Sequence, residues 1–203
     1  MRIPQQTVAG GGLTYSGFPR NLPYKSGTYI YPAVPAKSGG ATSVAADVLR
    51  LNAVLVTARV VVSHVVFQNS SSVNTISFRG GLFTGAERVP TAVIDESSPV
   101  TVADTNTNAM RELALAAPQV LLPGLYYAGL VCSATASLMC HSVQSSQEAP
   151  GGDFVLPGGS LIYTMPGVYK MAHAFGAMPA TVTIGTNSGD DSDQWPILAL
   201  KVN

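Results

Sequence analysis

Few side chains in this sequence could do chemistry: three histidines (His64, His141, His173), two cysteines (Cys132, Cys140) and eleven carboxylates. A nucleophile needs a base within hydrogen-bond reach and a third group to orient that base. The sequence has no Gly-x-Ser-x-Gly elbow, no His-Glu-x-x-His pair, no phosphate-binding Walker loop and no dinucleotide fingerprint. His64 lies inside the valine-rich run "VVVSHVVF", which reads as a core or sheet-face histidine. His141 follows Cys140, and Cys132 stands eight residues earlier, but the paired short spacings of a structural zinc site are absent. Glycoside cleavage needs two carboxylates facing one cleft. Asp95, Glu96 and Glu112 are available, yet adjacent acids in a β protein read as turn or rim residues. The expectation is a protein without enzymatic activity, cofactor or required metal.

One cluster is rich in oxygen ligands. "GTNSGDDSDQ" (185–194) carries Asp190, Asp191 and Asp193 beside Asn187 and Ser188, a composition that could hold calcium. The twelve-residue calcium hand is not matched, so a solvated hairpin tip is the favoured reading. Gly10-Gly11-Gly12 follows no strand and reads as a hinge rather than a phosphate cradle.

The elements that would position these groups read as strands. "DVLRLNAVLVTA" (47–58) and "VVVSHVVFQ" (60–68) are rich in β-branched residues. "NTISFRGGLF" (74–83) alternates, with Ile76 and Phe78 on one face and Ser77 and Arg79 on the other. "TAVIDESSPVTVA" (91–103), "RELALAA" (111–117), "LYYAGLVCS" (125–133), "SLMCHSVQ" (137–144) and "WPILALKV" (195–202) continue the pattern, separated by Gly, Pro, Asn, Asp and Ser clusters. "NAMRELALAAP" (108–118) also reads as strand, ended by Pro118. Pro123-Gly124 suits a type II turn, with Gly at the position of positive φ. Tyr126, Tyr163 and Tyr169 then start or fill strands. About eight closely spaced strands read as an all-β sandwich or barrel.

Residues 1–45 differ. They hold Pro4, Pro19, Pro23, Pro32 and Pro35 with little periodicity, which predicts an extended N-terminal arm ahead of a β domain over 46–203. Tyr15, Phe18, Leu22, Tyr24, Tyr29 and Tyr31 are the arm's candidate partner-binding residues. Proline and glycine build no core there, but these side chains can be buried against a partner.

Composition narrows the class. Charged residues are 11% of the chain, against roughly 25% in a typical soluble domain. Such a surface suits a subunit packed into an assembly, which predicts a homo-oligomer. Eleven basic residues balance eleven acidic ones with no basic run, so neither nucleic acid nor a membrane surface is an expected partner. The longest apolar region, 53–67, is interrupted by Arg59 and His64 and is too short to span a bilayer. The first residues carry no signal-peptide pattern, so synthesis in the cytoplasm is expected. Two cysteines in that compartment read as reduced and buried, with a disulfide between Cys132 and Cys140 left open.

Three segments together carry a resemblance. "GGLFTGAERVPTAVIDESSPVTVADT" (80–105) has a strand, a loop with Gly and Pro, and a strand of small residues. "ALAAPQVLLPGLYYAGLVCSAT" (114–135) has a strand, Pro-Gly and an aromatic strand, and "FGAMPATVTI…WPILALKV" (175–202) closes the chain. Over roughly 45–203 this pattern resembles bacteriophage tail-fibre and minor structural proteins. The resemblance implies a jelly-roll-like antiparallel β-sandwich in a virion, made in the bacterial host's cytoplasm and commonly trimeric. It implies a tail-fibre or tail-tip subunit anchored through its arm to tail or baseplate proteins, with a host-surface glycan as a further partner. Two alternatives stand beside it. One is a capsid decoration protein clamped to the major capsid protein. The other is a carbohydrate-binding module that stacks sugars on Tyr126, Tyr127, Tyr163, Tyr169 or Trp195.

Overall fold

The computed structural model describes residues 8–9, 12–13, 24–32, 36–70, 75–86, 89–102, 108–143, 168–183 and 194–203. Among the described residues the chain forms strands and no helix. They are β1 (Val8–Ala9), β2 (Gly12–Leu13), β3 (Tyr29–Ile30), β4 (Ala36–Val44), β5 (Val48–Val56), β6 (Val60–Gln68), β7 (Ser77–Ala86) and β8 (Val89–Glu96). There follow β9 (Val100–Thr101), β10 (Met110–Leu121), β11 (Gly124–Cys132), β12 (Ala136–Val143), β13 (Val168–Ala172), β14 (Gln194–Pro196) and β15 (Ala199–Val202).

Beyond the small pair β1-β2, three antiparallel sheets make the body. The front sheet runs β13-β5-β11-β7-β8, with β9 also beside β7. Behind it stand β10-β6-β15-β3 and β14-β12-β4, joined where Asn69 bridges Leu138 and the Ser70 N–H donates to the Ser137 carbonyl at 3.0 Å. Val54, Leu82 and Leu130 of the front sheet meet Val62, Phe67, Leu113 and Leu200 of one back sheet and Val44 and Leu138 of the other. The result is the all-β antiparallel sandwich expected from alternation bounded by turn residues.

The front sheet is buried on its second face as well. Leu49, Leu51, Phe83, Tyr127, Val131 and Tyr169 form a separate cluster there, with Phe175, Met178 and Val182 packed against it. This explains why β5 reads as a nearly continuous apolar run rather than an alternating one: both of its faces are covered. The cover is the segment after β13, which crosses the sheet from the β13 side to β8. Asp47 accepts from the His173 N–H at its carbonyl (2.9 Å) and from the Phe175 N–H at Oδ1 (2.8 Å). Glu96 Oε2 accepts from the Met178 N–H at 2.6 Å, and the Val182 N–H donates to the Thr91 carbonyl at 2.6 Å. Gly81 and Gly129 lie opposite each other beneath Phe83. A Cβ on Gly129 would sit 2.7 Å from Phe83 Cε2, so the ring's seat requires glycine.

Three local expectations are corrected. Gly124 lies outside the left-handed region, so Pro123-Gly124 is not a type II turn. β10 and β11 belong to different sheets, and the chain turns a corner between layers there instead of reversing within one sheet. The Tyr126 hydroxyl closes that corner on the Leu122 carbonyl at 3.1 Å. Pro118 does not end its strand: β10 continues to Leu121, because the register against β6 shifts between Ala114 and Gln119 and the proline falls inside that irregularity. The described second half of the expected arm is built into the sheets. β3 pairs with Leu200 and Lys201, and β4 pairs with β12 along its length. The boundary at residue 45 therefore falls at the end of a sheet strand. Backbone ladders form irrespective of side chain, and "AKSGGATSV" has no apolar alternation to reveal one.

Candidate functional site

The sheet β10-β6-β15-β3 turns its second face outward. Register places Ala114, His64, Lys201 and Tyr29 in one row across the four strands. Glu112, Val66 and Ala199 form the next row, with Tyr31 beyond Ile30 at its far end. Alternation along β3 and β15 puts Ile30 and Leu200 in the core and so aims Tyr29 and Lys201 outward. From the edge strand, the Tyr29 hydroxyl donates to Glu112 Oε1 at 2.8 Å. Lys201 Nζ donates to Glu112 Oε2 at 2.5 Å. β3 and β10 are three strand spacings apart, about 14 Å. Tyr29 and Glu112 must therefore lie flat to meet, and they roof the two intervening strands. Val66 and Ala199, 0% and 1% exposed, belong to neither core cluster and form the floor beneath. The Tyr31 ring meets Tyr29 edge-on at 6.5 Å between centroids and is 58% exposed.

The electrostatics of this face follow from its bonds. The hydrogen bond from Lys201 holds the Glu112 carboxyl below its ordinary value, with Tyr29 adding to the effect against some burial. The same bonds to Glu112 raise Lys201 and Tyr29 above theirs. Burial pushes His64 down, so the imidazole is neutral at neutral pH. Its Nδ1 lies 2.8 Å from Ser63 Oγ. The face thus presents one neutralised ion pair, a neutral imidazole and two phenol rings.

The other candidate carboxylates are engaged separately. Asp95 Oδ2 accepts from the Ala117 N–H (3.0 Å) and the Gln119 amide (2.8 Å), stapling β8 to the irregular part of β10. Burial would raise its carboxyl, but these bonds and one from the Glu96 N–H outweigh it and hold it low. Glu96 turns to the opposite face, where Arg79 Nη1 reaches it at 3.0 Å. Glu112 stands on the outer face of the other sheet, so the three do not share a cleft. Among the described residues no three His, Cys, Asp or Glu side chains gather as a metal site. Cys132 and Cys140 are free and buried, and burial raises both thiols, Cys140 to about 12.

Of the aromatics considered for sugar stacking, the four described ones are at least partly packed into the sheets. Tyr127 and Trp195 are buried, Tyr169 packs edge-on against Tyr127 at 5.7 Å, and Tyr126 packs partly against the main core. Tyr163 lies outside the described residues, as do Tyr15, Phe18, Leu22, Asp190, Asp191 and Asp193. Of the remaining arm residues, Tyr24 packs against the core and its hydroxyl accepts from the Thr57 N–H at 3.0 Å. Tyr29 is tied to Glu112, and Tyr31 is left to solvent. Sequence reasoning did not find Lys201 and Glu112 as partners of Tyr29. Strand alternation could place each on a face, but only sheet order brings 29, 112 and 201 together.

The chain matches no protein-family model and no curated protein.

Proposed function

We propose that this protein is a non-enzymatic structural subunit of a bacteriophage virion, of the tail-fibre or tail-tip type, that presents its sandwich for contact with the host surface. The observation that carries the reading is the surface itself. Charged residues are 11% of the chain, and the described carboxylates Asp47, Asp95, Glu96 and Glu112 are bound up in bonds that hold the strands and the covering segment together. Several large apolar side chains are left to solvent: Leu55 of β5, Val120 of β10 and Leu122 at the β10–β11 corner are each at least half exposed. A weakly charged surface with exposed apolar side chains suits packing against neighbouring copies, and a homotrimer fits this. The likeness to phage tail proteins over 80–105, 114–135 and 175–202 supports the same reading. Those segments are β7 to β9, the β10–β11 corner, and the covering segment with the last two strands.

The N-terminal residues before Tyr24 are the proposed attachment device, while β3 and β4 belong to the sandwich. Gold labelling of particles carrying a C-terminally tagged chain tests the assignment. Label on the tail is the expected result. Label spread over the head would replace it with the capsid-decoration reading. In the same experiment a chain lacking residues 1–23 should fold but leave the particle unlabelled.

A further inference from the structure

We propose that the free edge of β4 is a self-association site, on which β4 of a second copy of this chain pairs antiparallel about a two-fold axis at Ala41. Among the described residues β4 ends its sheet and pairs with β12 alone. The direction of its backbone groups follows from β12. The Ile197 N–H donates to the Met139 carbonyl and the Ser70 N–H to the Ser137 carbonyl, both at 3.0 Å, so the odd-numbered residues of β12 turn their backbone groups away from β4. Leu138 and Cys140 therefore exchange their ladder bonds with Thr42 and Gly40. Gly39, Ala41 and Ser43 are left with their N–H and C=O groups aimed out of the sheet, and Ala41 and Ser43 are exposed. Such a row is a template for another strand.

The other described edges carry features that oppose such pairing. β8 is covered where the Val93 N–H donates to the Ala180 carbonyl at 3.1 Å and the Val182 N–H to the Thr91 carbonyl at 2.6 Å. β10 holds Arg111, Glu112 and Pro118 and is bridged at Leu115 to Ser97. β3, β9 and β14 are two or three residues long, and β13 carries Lys170. Residues 38–44 of β4 have no charge, no proline and no irregularity of register. What singles out a second β4 as occupant is the fit of this strand to itself. Setting Ala41 against Ala41 places Gly39 of each copy opposite Ser43 of the other, each pair exchanging both of its backbone bonds. Gly40 then faces Thr42, and a Cβ on Gly40 would meet nothing within 4 Å, so the β-branched side chain opposite has open space beside it. The same register keeps the two Lys37 positions at opposite ends of the contact. The result is one continuous sheet in the order β14-β12-β4-β4-β12-β14. A strand from another protein would gain similar backbone bonds, but no charged or large residue on this edge selects one.

The contact is two-fold, so it links copies beyond the threefold packing proposed above, and it stands or falls on the isolated full chain whatever particle carries it. Amide hydrogen exchange read by NMR at low and high protein concentration gives the first readout. The Gly40 and Thr42 amides should be protected at both concentrations, and those of Gly39, Ala41 and Ser43 should gain protection only at the higher one. Sedimentation equilibrium gives the second. Ala41→Lys and Ala41→Glu each set like charges face to face across the axis, and each should weaken the pairing about fivefold without lowering the melting temperature. An equimolar mixture of the two variants should restore it, because an isologous contact sets residue 41 against itself. Exchange at residues 39, 41 and 43 that ignores concentration, or self-association untouched by either charge, would overturn the site. A mixture that pairs no better than the single variants would overturn it too, since the occupant is then not a second β4.

Discussion

Asp47 should be the residue on which the covering segment hangs, and three substitutions separate its two jobs. It lies in the left-handed region at φ 55 in the turn between β4 and β5. Its Oδ1 accepts from Phe175 N–H at 2.8 Å, while its carbonyl accepts from His173 N–H. An ordinary L-residue in that conformation costs about 1 kcal/mol more than Asp, Asn or Gly. The charged acceptor adds about 1 kcal/mol, less than a buried charged bond would because the site is exposed. Asp47→Ala loses both and should cost about 2 kcal/mol in urea unfolding. Asp47→Gly keeps the backbone and loses the acceptor, at about 1 kcal/mol. Asp47→Asn keeps both in neutral form and should cost less than about 1 kcal/mol. Hydrogen exchange supplies the second readout: the Phe175 amide should lose protection in Ala and Gly and retain most of it in Asn. Equal losses for Ala and Gly would refute the conformational half of the reasoning. Unchanged protection at Phe175 would refute the anchoring half.

Gly129→Ala should destabilise by about 1–3 kcal/mol because its Cβ would meet Phe83 at 2.7 Å and Leu51 at 3.1 Å. Gly40→Ala, with nothing within 4 Å, should leave the melting temperature unchanged or slightly raised. Cys132 and Cys140 should resist alkylation in the folded protein and react after unfolding, as their burial and raised thiols require; rapid native-state reaction would contradict the packing. Stability should fall at both pH extremes through one cluster. Glu112 is held below its ordinary value, so its contribution is present above that value and is lost as pH falls through the lowered one. Tyr29 and Lys201 are raised, so theirs are present at lower pH and are lost as pH rises past their ordinary values of 10.0 and 10.5. In Glu112→Gln the urea midpoint should change less with pH at both ends.

The strands that sequence made visible are those whose side chains carry the pattern. Phe78 alternating with Arg79, and the β-branched run of β6, announce themselves. β4 could not, since glycine, serine and alanine there leave its pairing with β12 as the stabilising feature. The corner at Pro123 was legible as an interruption but not as a change of layer, because Pro-Gly looks alike in a hairpin and between sheets. Each residue of the outward face was visible singly. His64 was noted as a sheet-face histidine and Tyr29 as an arm aromatic. That they share a face with Glu112 depends on β15, the last strand, entering between β6 and β3. Such order is set by long-range packing, which local pattern does not encode.

The central claim is that this sandwich is a subunit of a phage particle, placed on the tail. A cryo-electron reconstruction of the purified particle tests it most directly. The account predicts the sandwich at the tail in copies related by threefold symmetry, with the exposed Leu122 corner against a neighbouring copy. A particle whose density and protein content lack this chain would contradict it.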